Sequence, residues 1–230
     1  MLLFTSTLWL GGVAGVVQAG SAWADTVAAP SGAGETVRKA SREEVQHGKM
    51  LFKENCQVCH QEEGKGKPGV APSLTNKELL SAASDRFLVE TIRDGRAPTA
   101  MPSYGQVLQE KDIRDIVSYL RDFNQVATLG DSLDADHPAM GDPRLGKRWF
   151  AQVCAGCHGP NGEGYLGAGS GTAIGKSGFL SKASDGFIRY IIMNGRSNTP
   201  MRGFSGADGL ANLTSTEIDD IISYLRIIQN

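Results

Sequence analysis

Cys56-Gln57-Val58-Cys59-His60 and Cys154-Ala155-Gly156-Cys157-His158 decide the reading of this 230-residue chain. The two stretches lie 98 residues apart and hold all four cysteines. Working outward from them, the flanking sequence repeats. Gly48-Lys49-Met50-Leu51-Phe52 precedes the first motif, and Gly146-Lys147-Arg148-Trp149-Phe150 precedes the second. Ser84-Asp85-Arg86-Phe87 returns as Ser184-Asp185-Gly186-Phe187, Gly95-Arg96 as Gly195-Arg196, and Ser118-Tyr119-Leu120-Arg121 as Ser223-Tyr224-Leu225-Arg226. The offset grows from 98 to 100 to 105, so the second copy carries two loop insertions. A period this long exceeds that of a solenoid repeat and marks a tandem pair of domains.

Each copy reads as three main helices. Ser41 with Glu44 and Thr214 with Glu217 have capping-box spacing, and Asp142-Pro143 places a cap before a proline at the first helical position. Middle helices begin near Ser84 and Ser184 and end at Gly95 and Gly195. Ile113, Ile116, Val117 and Leu120, like Ile218, Ile221, Ile222 and Leu225, follow the stripe of a half-buried closing helix. The chain has 29 glycines, eight of them in residues 159–178, a loop too poor in large apolar side chains to bury itself. It must wrap something.

The motif supplies that partner. Two thiols three residues apart share one helical face. So placed, they can add to the two vinyl groups of one haem as thioethers, while the following imidazole lies under the iron; this is the c-type attachment signature. A zinc ribbon would place its two cysteine pairs roughly 15–20 residues apart. A thioredoxin-type motif would need a βαβ context, and two disulfides would need no histidine after each pair. The reading is therefore two covalent haem c groups, bound by Cys56, Cys59 and His60 and by Cys154, Cys157 and His158.

A sixth iron ligand is offered at matching places. Met101 follows His60 by 41 residues and Met201 follows His158 by 43, each in a polar, proline-bearing loop past the middle helix. The metal ligands are read as His60, Met101, His158 and Met201. Met193, on the apolar middle helix, reads as core, and His47 and His137 read as solvated. With both axial positions filled by histidine and methionine, the potential is raised and the iron suits outer-sphere electron transfer.

Residues 1–24 are uncharged, with an apolar stretch leading to Ala22-Trp23-Ala24. They read as a cleaved export signal, although no Lys or Arg follows Met1, with an uncleaved membrane anchor as the alternative. Residues 25–40 read as a flexible leader. Domains are expected over 41–126 and 141–230, joined by an acidic, solvated linker over 127–140 that holds Asp131, Asp134 and Asp136 and no Lys or Arg. Net charge is −2 overall, which excludes the broad basic field of a nucleic-acid binder.

These motifs resemble the class I cytochromes c, and the tandem arrangement resembles the di-haem cytochromes c of bacterial respiratory chains. The resemblance covers roughly residues 41–126 and 141–230. It implies an all-α fold, each domain being three main helices wrapped around one haem. It implies that Gly48 and Phe52 meet Tyr119, and that Gly146 and Phe150 meet Tyr224. It also implies that the Pro72 carbonyl accepts from the His60 imidazole. The loop from Leu166 to Lys176 has no proline, so the acceptor for His158 stays open.

The expected function is periplasmic electron transfer. A quinol-oxidising complex or a dehydrogenase would be the donor, and a terminal oxidase or reductase the acceptor. Two readings stand beside it: a di-haem oxidoreductase acting on thiosulfate or peroxide, and a membrane-tethered subunit of a respiratory or photosynthetic complex. Neither expected domain offers a catalytic residue.

Overall fold

The computed structural model describes residues 39–229. The export signal over 1–24 and nearly all of the leader over 25–40 lie outside the described residues. The first half holds α1 (Arg42–Asn55), α2 (Gln57–His60), α3 (Lys77–Ala82), α4 (Asp85–Asp94) and α5 (Glu110–Phe123). α6 (Gly130–Asp134) lies between the halves. The second half holds α7 (Pro143–Val153), α8 (Ala155–His158), α9 (Ser177–Leu180), α10 (Asp185–Asn194) and α11 (Ser215–Ile227). The fold is all-α; among the described residues the only β pairing is two isolated bridges.

The long helices start where their caps dictate. The Ser41 and Thr214 side chains accept from the N–H groups of Glu44 and Glu217, whose carboxylates return the bond. Ser84 and Ser184 cap α4 and α10 by accepting from Phe87 and Phe187 N–H. Asp142 accepts from Arg144 N–H ahead of Pro143. Gln109 caps α5 with Asp112, a box without Ser or Thr. The short helices α2, α3, α6, α8 and α9 add to the three expected per half. Four to six residues are too few to show an amphipathic period.

α1 crosses α5, and α7 crosses α11, at a glycine. A Cβ on Gly48 would lie 1.9 Å from the Asp115 carbonyl oxygen, and one on Gly146 would lie 1.9 Å from that of Asp220. The glycines therefore meet backbone, one turn from the tyrosines. The phenylalanines meet the tyrosines themselves: ring centroids are 5.4 Å apart for Phe52 and Tyr119 and 5.5 Å for Phe150 and Tyr224.

The two halves share one hydrophobic core. Phe87 of α4 stacks on Phe187 of α10, and Phe179 of α9 meets both rings edge-on or tilted. Segment 127–140 differs from the solvated linker expected of its composition. Asp134 accepts from Ser84 Oγ at 2.6 Å and pairs with Arg86, and Asp136 pairs with Arg189 at 2.6 Å. Ser184 Oγ donates to the Leu133 carbonyl, so α6 is fastened to both helix caps. Asp131 alone of the three acids is exposed.

Two further expectations are corrected. His47 is half-buried and its Nδ1 lies 2.7 Å from a carboxylate oxygen of buried Asp115, which also takes Lys111. Met193 is 39% exposed, because the helical stripe of α10 turns Ile188, Ile191 and Ile192 inward and leaves position 193 outside. The exposed His137 ring meets its neighbour Asp136, and the His137 carbonyl accepts from Arg189.

Candidate haem sites

α1 and α7 each run into a cysteine. Cys56 and Cys154 cap them, and α2 and α8 then carry the second cysteine and the histidine. Cys56 and Cys154 are half-buried, whereas Cys59 and Cys157 are exposed. Burial, then the neighbouring thiol, pushes Cys56 up to about 11 and Cys154 up to about 12. Both thiols are thus protonated at neutral pH.

His60 is buried, and its Nδ1–H donates to the Pro72 carbonyl at 2.9 Å. His158 makes the matching bond to the Thr172 carbonyl at 2.7 Å. A proline is therefore not required; the acceptor is a backbone carbonyl that any residue supplies. Each bond fixes the tautomer with Nε2 as the free lone pair, the form that binds a metal. Burial lowers the basicity of both rings against the pull of these carbonyls, so the rings are neutral. A Cβ on Gly171 would lie 2.8 Å from the His158 ring, so the glycine-rich loop lies flat against the imidazole.

Met101 and Met201 are half-buried against the core, each in a closed loop. Arg96 N–H donates to the Met101 carbonyl and Arg196 N–H to that of Met201, at 3.1 and 2.7 Å. Thr99 and Thr199 side chains accept from the methionine N–H groups. Among the described residues no three His, Cys, Asp or Glu side chains gather, as a structural zinc site would require. The donor set instead suits haem: a thiol pair, a neutral imidazole held through Nδ1, and a thioether in an ordered loop.

Several long-range polar contacts, some of them between the halves, were not expected from the sequence. The Ser197 N–H and hydroxyl both donate to a Glu78 carboxylate oxygen, at 2.8 and 2.7 Å. Gly178 N–H donates to the Ala97 carbonyl. Arg121 and Arg226 bind the carbonyls that end the preceding short helices, Leu80 and Ala83 in one half and Leu180 and Ala183 in the other. For the arginines the signal was present, since both end the repeated Ser-Tyr-Leu-Arg. At the equivalent places of the repeat Glu78 and Ser197 are replaced by Gly178 and Ala97, so the pair leaves no repeated signal.

The family described as cytochrome c oxidase, cbb3-type, subunit III matches residues 43–120, and the cytochrome c family matches residues 144–229. The cbb3-type cytochrome c oxidase subunit CcoP of Rubrivivax gelatinosus is 31% identical over 151 residues, covering 66% of this chain and 45% of that protein. The FixP subunit of Azorhizobium caulinodans is 31% identical over 130 residues, covering 54% and 41%. The chain thus spans less than half the length of these curated relatives. A solved structure, the Kuenenia stuttgartiensis reducing HAO-like protein complex, is similar at 19% identity and a TM-score of 0.47, covering 80% of this chain and 96% of that one. Duplicated Cys-x-x-Cys-His motifs in an all-α pair of repeats, one matching the cbb3-type oxidase subunit III family and the other the cytochrome c family, mean that the chain holds two cytochrome c domains in tandem and carries two haem c groups.

Proposed function

We propose that the chain is a di-haem electron carrier with domains over 41–126 and 141–230. Cys56 and Cys59 would hold the first haem and Cys154 and Cys157 the second, through thioethers. His60 with Met101, and His158 with Met201, would ligate the two irons. The observation that carries this reading is the pair of imidazoles whose Nδ1–H groups are bound to Pro72 and Thr172, leaving both Nε2 atoms for iron. The haem iron supplies a one-electron couple. The chain's residues fix the imidazole tautomer and close the methionine loops.

Export to the periplasmic face, with residues 1–24 either cleaved or retained as an anchor, fits the thioether chemistry. Among the described residues no helix is long and apolar enough to cross a membrane. Likeness to subunits of cbb3-type oxidases favours a terminal oxidase as acceptor, with a quinol-oxidising complex or dehydrogenase as donor. Mixing the reduced protein with a purified cbb3-type oxidase in a stopped-flow spectrometer tests this. Rapid oxidation of both haems that needs oxygen is expected. Absence of oxidase-dependent oxidation would remove this acceptor. Fast carbon monoxide binding to the reduced protein would show an open iron and favour a di-haem oxidoreductase instead.

A further inference from the structure

Arg96 and Arg196 occupy equivalent places in the repeat, and each reaches into the opposite half. Arg96 Nη2 donates to the Ala173 carbonyl at 2.7 Å, and Arg196 Nη2 to the Ser73 carbonyl at 2.6 Å. Ala173 directly follows Thr172, which holds His158; Ser73 directly follows Pro72, which holds His60. Each arginine thus grips the strip of backbone that orients the other half's histidine.

The Nε atoms of both guanidinium groups are sealed from solvent, although the residues as a whole are only half-buried. Arg96 lies over the Phe179 ring, 4.9 Å from its centroid. Among the described residues neither arginine is in a salt bridge, although the Glu78 carboxylate acts on Arg196 from a greater distance and Tyr165 lies near both. Both Nε–H groups are buried with no hydrogen-bond acceptor. Arg196 lies close enough to Arg96 for the two charges to repel. Two like charges and two unsatisfied donors in one dry place are unfavourable unless an anion joins them. A guanidinium fork matches a carboxylate. Every haem c brings two propionate carboxylates.

We propose that Arg96 and Arg196 form one shared cationic bridge for haem propionates, each holding by Nη2 the backbone beside the other half's haem histidine and presenting Nε–H to a propionate. The proposal rests on the two-haem reading above. A positive bridge disfavours the ferric state of both irons. Each arginine is a positioning residue, and removing either one acts on both haems.

The test titrates the full-length holoprotein and its Arg96→Gln and Arg196→Gln variants spectroelectrochemically. Intact mass is checked first, so that a wild type lacking two haems sinks the two-haem reading and not this one. The two waves are assigned with a Met101→His marker. Each Gln variant is expected to shift both waves to lower potential. The potentials should also become pH-dependent over about pH 6 to 8, because a propionate without its guanidinium regains a higher pKa. If a Gln variant loses haem, Arg96→Lys or Arg196→Lys replaces it. Lysine keeps the charge but cannot span carbonyl and carboxylate, so a smaller downward shift of both waves is expected. Movement of only the wave in the arginine's own half, or of neither wave, overturns the bridge.

Discussion

Phe87 and Phe187, equivalent residues of the two repeats, stack on each other with centroids 4.7 Å apart and planes 29° from parallel. A contact between equivalent positions is the mark of a two-fold relation between like units. The halves therefore meet face to face through matching surfaces. Phe87→Ala removes a ring from this shared core at a cost of about 3–5 kcal/mol. A single unfolding transition is expected for the wild type, and two separated transitions for the variant, followed by circular dichroism and by the absorbance of each haem. Coincident transitions in the variant would mean that the stack does not couple the halves.

Intact mass of the purified protein should exceed that of the processed polypeptide by two haem masses. Cys154→Ala combined with Cys157→Ala should leave one. Because α9 and α10 pack on α4, the remaining first-half haem should also sit in a less stable protein. Its thermal midpoint is expected to fall, where two independent domains would leave it unchanged.

Met101→His and Met201→His each replace a thioether by an imidazole. The affected haem should stay six-coordinate and fall in potential, because imidazole lacks the preference of thioether for ferrous iron. The weak near-infrared band of the ferric iron–methionine bond should halve in each single variant. Full intensity in either would transfer the ligand role to another residue.

Gly171→Ala tests the second imidazole site alone. The added methyl would stand 2.8 Å from the His158 ring and must push the ring or the loop aside. A loss of about 1–3 kcal/mol is expected from such overpacking. The hyperfine-shifted proton resonances of the ferric second haem should move while those of the first stay in place.

Glu78 gives the junction an acid limit. Burial raises its carboxyl, but the Ser197 hydroxyl and N–H outweigh that and hold it below the ordinary carboxylate value. A carboxyl lowered in the folded state stabilises fully above its unfolded value of about 4.3. That contribution is lost as pH falls through the lowered value. Denaturant unfolding at a series of pH values should show stability declining through this acid window. Glu78→Gln should weaken the protein by about 1 kcal/mol at neutral pH and flatten the decline. A variant that keeps the wild-type acid slope would place the acid sensitivity elsewhere.

Much of this was legible because it is local. Ser84 followed by Phe87 announces a capped helix, and an apolar stripe such as Ile113 to Leu120 announces a buried face. The repeat doubled every such signal. Several non-local features left no trace in sequence. Nothing about Thr172 marks its carbonyl as an acceptor, since every residue has one. Arg96 and Glu78 act through partners 77 and 119 residues away. The acidic composition of 127–140 suggested solvent because the arginines that neutralise it, Arg86 and Arg189, lie on other helices. The hydrophobicity of Met193 alone points to the core, whereas its position within the turn of α10 puts it outside.

The fastening of α6 to Ser84 on one side and Ser184 on the other has a consequence for dilution. Two separate proteins meeting through the Phe87–Phe187 face would part as their concentration fell. A short, pinned tether makes the same encounter intramolecular, with an effective concentration on the order of millimolar. The arrangement of the two redox centres is then a property of a single molecule, the same however scarce the protein is in its compartment.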